Sequence, residues 1–179
     1  MDSTIFNPIF KDTCTFLRTS AETNGKFSEM EVLLGPRGGN PLHIHTAFTE
    51  TFTALDGNLG LTVNGAKIIL KPGETITVQK REIHQFYNEG SEPVKFRLVF
   101  TPGHTGAENM LRIMYGLARD GMTNKKGIPK SLMTIAAVGE IGDSALAGLL
   151  SWLSPVLKIL AARARRRGLD QALMEKYCR

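Results

Sequence analysis

Cysteine is scarce in this chain: Cys14 and Cys178 are the only two among 179 residues, and they stand at opposite ends. With no second cysteine beside either, neither a zinc ribbon nor a redox pair is indicated. Two unpaired thiols in a reducing, cytoplasmic compartment are expected. The opening stretch MDSTIFNPIFKDTC has an early acid, a proline and no long apolar run, which argues against an ordinary secretory signal. Several catalytic signatures are missing as well. There is no Gly-x-Ser-x-Gly elbow, no GxxxxGK phosphate loop and no dinucleotide fingerprint, nor any internal repeat or low-complexity segment. At this length the chain can bury a core without disulfides or structural zinc, as one domain or one domain with an appendage.

The net charge of +5 is unevenly placed. Residues 1–103 carry ten Lys/Arg against eleven Asp/Glu, whereas residues 104–179 carry twelve against six. The densest basic run, RARRRG from Arg163 to Gly168, reads as a solvated helix end, where cations also suit the helix dipole. Only Trp152 and Tyr177 accompany it, so the interleaved aromatics of a nucleic-acid groove are lacking and no nucleic-acid partner is expected. The apolar segment from Ala145 to Ala162 is interrupted by Pro155 and Lys158, bounded by Asp143 and followed by Arg163. It is short for a membrane span, and a helix packed on the rest of the protein or at a subunit interface is expected instead.

From Asp12 to Thr101 short β-branched and aromatic runs alternate with turn dipeptides. CTFLRT, KFSEMEVLL, ETFTAL, LGLTV, AKIIL, ETITV, HQFYN and VKFRLVF read as strands, and Asn24-Gly25, Asp56-Gly57 and Asn64-Gly65 among others supply the turns. About eight such strands fit a closed barrel or a two-sheet jelly roll. After Pro102 the period lengthens toward 3.6. Ala107, Met110, Leu111, Met114 and Leu117 mark a first helix ending near Gly121, and Leu132, Ile135, Ala136 and Val138 mark a second after Pro129. A third is expected to carry Leu146, Leu149, Leu150, Leu153, Leu157 and Leu160 on one stripe and to end near Gly168.

Inside the β-rich half, His43 and His45 are one residue apart. In a strand their side chains leave the same face, and two adjacent imidazoles suit a metal. Glu50 follows five residues later and Gly57 seven after that, giving His-x-His-x4-Glu-x6-Gly. A second stretch from Gly73 reads Gly-x10-His-x3-Asn, with His84 and Asn88.

These two stretches resemble the paired motifs of the cupins, Gly-x5-His-x-His-x(3 or 4)-Glu-x6-Gly and Gly-x5-Pro-x-Gly-x2-His-x3-Asn. The resemblance covers about residues 25–101. Three positions depart from it. Arg37 stands at the first glycine of the first motif, Gln79 at the proline of the second and Arg81 at its inner glycine, changes expected to alter a turn and spare the ligands. The resemblance implies a mainly β fold, the cupin double-stranded β-helix or jelly-roll barrel over residues 1–103, with C-terminal α-helices over 104–179. It also implies a metal held by His43, His45, Glu50 and His84 inside the barrel. Three imidazoles and one carboxylate leave one or two coordination positions open, and iron, manganese, nickel, copper, cobalt and zinc all fit such donors.

Alternation places Phe52 beside Glu50 and Phe86 beside His84. With Met30, Val32, Phe96 and Leu98 they are expected to line a mostly apolar pocket for a small organic molecule. The leading expectation is a metal-dependent enzyme of dioxygenase type, an oxidoreductase, with Glu50 a candidate acid or base. A cupin isomerase or lyase, and a non-enzymatic ligand-binding cupin with a helical interaction module, are the alternatives. A two-fold homodimer, common among cupins, is expected.

Overall fold

A computed structural model describes residues 3–147 and 154–178. Eleven strands and four helices follow one another among them, the strands forming two antiparallel sheets. The first sheet contains β1 (Thr4–Asn7), β2 (Asp12–Arg18), β3 (Ser28–Leu34), β10 (Val94–Thr101), β5 (Thr49–Asp56) and β8 (Thr75–Val78), adjacent in that order. The second contains β11 (Ser144–Leu146), β4 (His43–His45), β9 (His84–Tyr87), β6 (Leu59–Val63) and β7 (Ala66–Leu70). All eight strands read from the sequence are present. Of the other three, β4 was reached only through the His43-x-His45 spacing, and sequence patterning did not reveal β1 or β11.

Alternation explains the core. Along β10, Val94, Phe96, Leu98 and Phe100 are buried, while the intervening residues face outward. Across the register from β3 through β10 to β5, Val32, Phe96 and Ala54 align, as do Met30, Leu98 and Phe52. These side chains join Phe86 and Leu61 of the opposite sheet in one apolar cluster. Gly57, which ends the first motif, turns the chain with φ +74°, a conformation costly for a residue with a Cβ.

The helices are α1 (Thr105–Arg119), α2 (Leu132–Gly142), α3 (Ser154–Arg166) and α4 (Leu169–Tyr177). His104 caps α1, its Nδ1 accepting the Ala107 N–H at 2.9 Å. The face of α1 turned inward includes Ala107 and Leu117, as the apolar period predicts, together with Ile113 and Tyr115. On α2, Ala136 and Val138 are buried, but Leu132 is 57% exposed. Glu108 is buried and accepts the Ser20 N–H at 2.6 Å and the Ser28 hydroxyl at 2.5 Å, tying α1 to the loop after β2 and to β3.

The expected third helix is corrected. Leu146 ends β11, which pairs with β4, and α3 carries only Leu157 and Leu160 of the six-leucine stripe. Leu149, Leu150 and Leu153 lie outside the described residues. The reason is local: Asp143 leaves α2 in the left-handed conformation, and the next residues meet unpaired backbone groups on the edge of β4. Pro155 then sits in the first turn of α3, where its missing N–H does no harm. A fourth helix, α4, follows Gly168. Among the described residues no helix is long and apolar enough to cross a membrane. Cys14 and Cys178 are both free and buried.

Candidate metal centre

His43 and His45 on β4, Glu50 on β5 and His84 on β9 come together between the sheets. One ligand atom from each lies within 4.8 Å of all the others. The two motifs meet because β4 pairs with β9 with His43 directly opposite His84. His45, Glu50 and His84 are buried, whereas His43 is partly exposed and marks the accessible side.

Each imidazole is anchored in the same way. Nδ1 of His43 donates to the Pro41 carbonyl, Nδ1 of His45 to the Asp143 carbonyl and Nδ1 of His84 to the Glu82 carbonyl, all at 2.9 Å. A carbonyl only accepts, so each Nδ1 carries a hydrogen, and Nε2 is the nitrogen left for a ligand. Nε2 of His45 and of His84 lie 3.3 and 3.0 Å from the two oxygens of Glu50. This is the orientation that metal-binding histidines require, with outer partners fixing the tautomer.

The electrostatics fit a cation. Burial, reinforced by the neighbouring His45 and His84, depresses the pKa of His43 to about 3, which keeps it neutral and able to ligate. Burial works against the Glu50 carboxylate too, yet His45 and His84 together outweigh it and hold its pKa below the usual range. For His84, burial is outweighed by the bond to Glu50, and the pKa is raised. Both nitrogens of His84 thus face acceptors, Nδ1 the Glu82 carbonyl and Nε2 a Glu50 oxygen. The donor set fits such a group: His43, His45, Glu50 and His84 would hold it.

The asparagine of the second motif has a supporting part. Asn88 Nδ2 donates to the carbonyls of Leu34, Gly35 and Glu92 at 3.2, 3.2 and 2.8 Å, and its Oδ1 accepts the Gly90 N–H. Two of the substituted motif positions lie in left-handed backbone. Arg37 and Arg81 both take left-handed backbone, φ +61° and +69°, where the motif has glycine, and the Arg81 N–H bonds the His45 carbonyl at 2.7 Å.

Met30, Val32, Phe52, Phe86, Phe96 and Leu98 all belong to the buried apolar cluster. Ring centroids of Phe52, Phe86 and Phe96 are 5.1 to 6.3 Å apart, and Phe52 lies 6.4 Å from His84. Two surface clefts, of about 580 and 320 Å³, are lined by none of these six and by no member of the metal cluster. Two neighbours of the centre escaped sequence reasoning. Phe48 stacks on His45 at 4.4 Å, and Asp143 reaches His45 from 98 positions away. The FTETF run around Phe48 was readable as strand entry, but nothing short-range marks Asp143.

A two-sheet β-sandwich with three histidines and a glutamate converging between its sheets defines the class of protein: a cupin-type barrel with a metal-site-like cluster. Residues 30–101 match the family model described as a cupin domain, and C-terminal helices follow that stretch. No curated protein matches the chain. Solved structures similar to it include the polyketide cyclase RemF from Streptomyces resistomycificus, at 25% identity over 50% of this chain and 64% of that one, TM-score 0.46. Others are a cupin-superfamily sugar phosphate isomerase from Silicibacter pomeroyi (23%, 50% and 59%, 0.45) and a cupin domain of an XRE family transcriptional regulator from Enterobacter cloacae (22%, 50% and 95%, 0.45). The chain thus spans less than two thirds of the first two.

Proposed function

We propose that this protein is a metal-dependent cupin enzyme acting on a small organic molecule, with dioxygen-dependent oxidation ahead of isomerisation or elimination. The observation supporting it is the convergence of three Nε2-directed imidazoles on the Glu50 carboxylate. A divalent first-row metal bound there would supply Lewis acidity or redox capacity. His43 lies on the accessible side, so the incoming molecule meets the centre there. Glu50, held ionised, serves as ligand and as an acceptor for a proton. Phe52, Phe86, Phe96, Met30, Val32 and Leu98 form the apolar wall that limits water near the centre. The two-fold homodimer and the cytoplasmic location belong to the same proposal, the first checked by light scattering and the second by cell fractionation.

The second reading is a metal-holding cupin that binds a ligand without turning it over, its C-terminal helices packed against the ligand strand β4 through β11. Oxygen uptake separates the two. Protein reconstituted separately with iron, manganese, nickel and copper is offered a panel of enols, thiols and phenols under an oxygen electrode. Uptake that is lost in Glu50→Gln supports the oxygenase. Product formed at full rate without oxygen transfers the assignment to an isomerase or lyase, and binding without conversion to the second reading.

A further inference from the structure

The three histidines differ in where their outer partners come from. Pro41 and Glu82 each stand two residues before the histidine they hold, so those anchors are local to the barrel. The anchor of His45 comes from the end of α2. There Asp143 has φ 48° and ψ 47°, and its carbonyl accepts from His45 Nδ1 at 2.9 Å. Its carboxylate reaches the same segment: Oδ2 accepts the N–H groups of Thr46 and Ala47 at 2.6 and 2.5 Å, and Oδ1 the Thr46 hydroxyl at 2.6 Å. Strand β11 continues the contact, pairing Ser144 with His45, Ala145 with Ile44 and Leu146 with His43. The whole ligand strand β4 is thus lined on one edge by the C-terminal part of the chain.

Resting on the metal-centre reading above, we propose that Asp143 is a positioning residue for the metal, and that docking of α2 and β11 is energetically linked to metal binding. Asp143 fixes the tautomer and ring direction of His45 through its carbonyl, and fixes the backbone after His45 through its carboxylate. Outer partners of metal-ligating histidines commonly govern affinity by about 10- to 100-fold. Linkage is reciprocal: if the docked strand strengthens metal binding, bound metal must strengthen docking by the same factor. The C-terminal extension is then part of the centre, and a change that loosens it lowers metal affinity without touching a ligand.

Full-length wild type is compared with Asp143→Ala and Asp143→Asn. Asparagine tolerates left-handed backbone, can accept both amides through its oxygen and can donate to the Thr46 hydroxyl, so it conserves the clamp; alanine removes the clamp and disfavours the turn. Circular dichroism checks folding, nickel affinity is measured by competition with a chromophoric chelator, and cobalt supplies a visible ligand-field spectrum. Asp143→Ala is expected to bind nickel about 10- to 100-fold more weakly with an altered cobalt spectrum, and Asp143→Asn to recover most of the affinity. Nickel should also slow amide exchange at residues 144–146 in wild type. Should Asp143→Ala fail to fold, Thr46→Val, which removes only the hydroxyl contact, is expected to show a few-fold loss. Wild-type affinity and spectrum in Asp143→Ala, or in Thr46→Val where that variant stands in, would overturn the proposal, as would exchange at 144–146 unchanged by nickel. A metal-free readout separates this from failure of the metal reading: imidazole nitrogen NMR should find His45 protonated at Nδ1 in wild type, and amide exchange at Thr46 and Ala47 should be faster in metal-free Asp143→Ala, which keeps the carbonyl but loses the carboxylate. If wild type shows that tautomer but binds no metal, the metal reading falls while the clamp stands. If exchange at Thr46 and Ala47 is the same in both metal-free chains, the clamp falls.

Discussion

Replacing Asp12 by asparagine should make folding stability much less dependent on pH. Asp12 opens β2, is 1% exposed, and accepts the Tyr115 hydroxyl of α1 at 2.5 Å; its other oxygen has no partner among the described residues. Burial raises its pKa from 3.8 to about 7, against the opposing bond from Tyr115. The folded protein therefore retains a proton between about pH 4 and 7 that the unfolded chain has released. Stability contributed by that proton is full below the unfolded pKa and is lost as pH rises through the folded one. Raising the pKa from 3.8 to about 7 corresponds to about 4 kcal/mol. Asparagine keeps a carbonyl for Tyr115 and titrates nowhere in this range. The stability of Asp12→Asn minus that of wild type should thus rise by up to about 4 kcal/mol from pH 4 to pH 8. Urea unfolding of both metal-free chains at those pH values gives the difference, in which the other titrating groups cancel. A difference that stays constant across the range would refute the reasoning.

Three further outcomes are expected. Glu108→Ala strands the Ser20 amide and the Ser28 hydroxyl in a buried site, and urea unfolding should show a loss of about 1–3 kcal/mol. Arg81→Gly relieves left-handed backbone at φ +69° and should raise stability by up to about 1 kcal/mol, net of the greater freedom of glycine when unfolded; a lower melting temperature would contradict this. Because the pKa of His84 is raised by Glu50, a metal must displace a proton there, so calorimetric affinity for nickel should weaken as pH falls below neutrality and binding should release protons into the buffer.

The barrel was legible because its signals are local. Alternation along VKFRLVF, the Asp56-Gly57 turn and the His43-x-His45 spacing each operate within a few residues, and the structure places all of them as the patterns require. His43 and His45 were readable as a pair for the same reason, whereas Glu50 and His84 were joined to them through the resemblance to the paired cupin motifs. What escaped the sequence rests on long-range partners. Strand β11 has three residues and exists because β4 offers an edge, and Asp143 matters because it meets His45 across 98 positions. The leucine stripe from Leu146 onward misled because its period is indifferent to the break that Asp143 imposes on the backbone. Buried polar ties such as Glu108 to Ser28 and Tyr115 to Asp12 follow from how α1 lies on the barrel, which no helical period specifies.

The metal content of protein purified without chelators tests the central claim most directly. Elemental analysis should find close to one divalent transition metal per chain in wild type and should find most of it gone in His45→Ala, which removes one of four donors while circular dichroism confirms the fold. Equal and negligible metal in both chains, persisting after incubation with nickel, cobalt, iron, manganese, copper and zinc, would contradict the account.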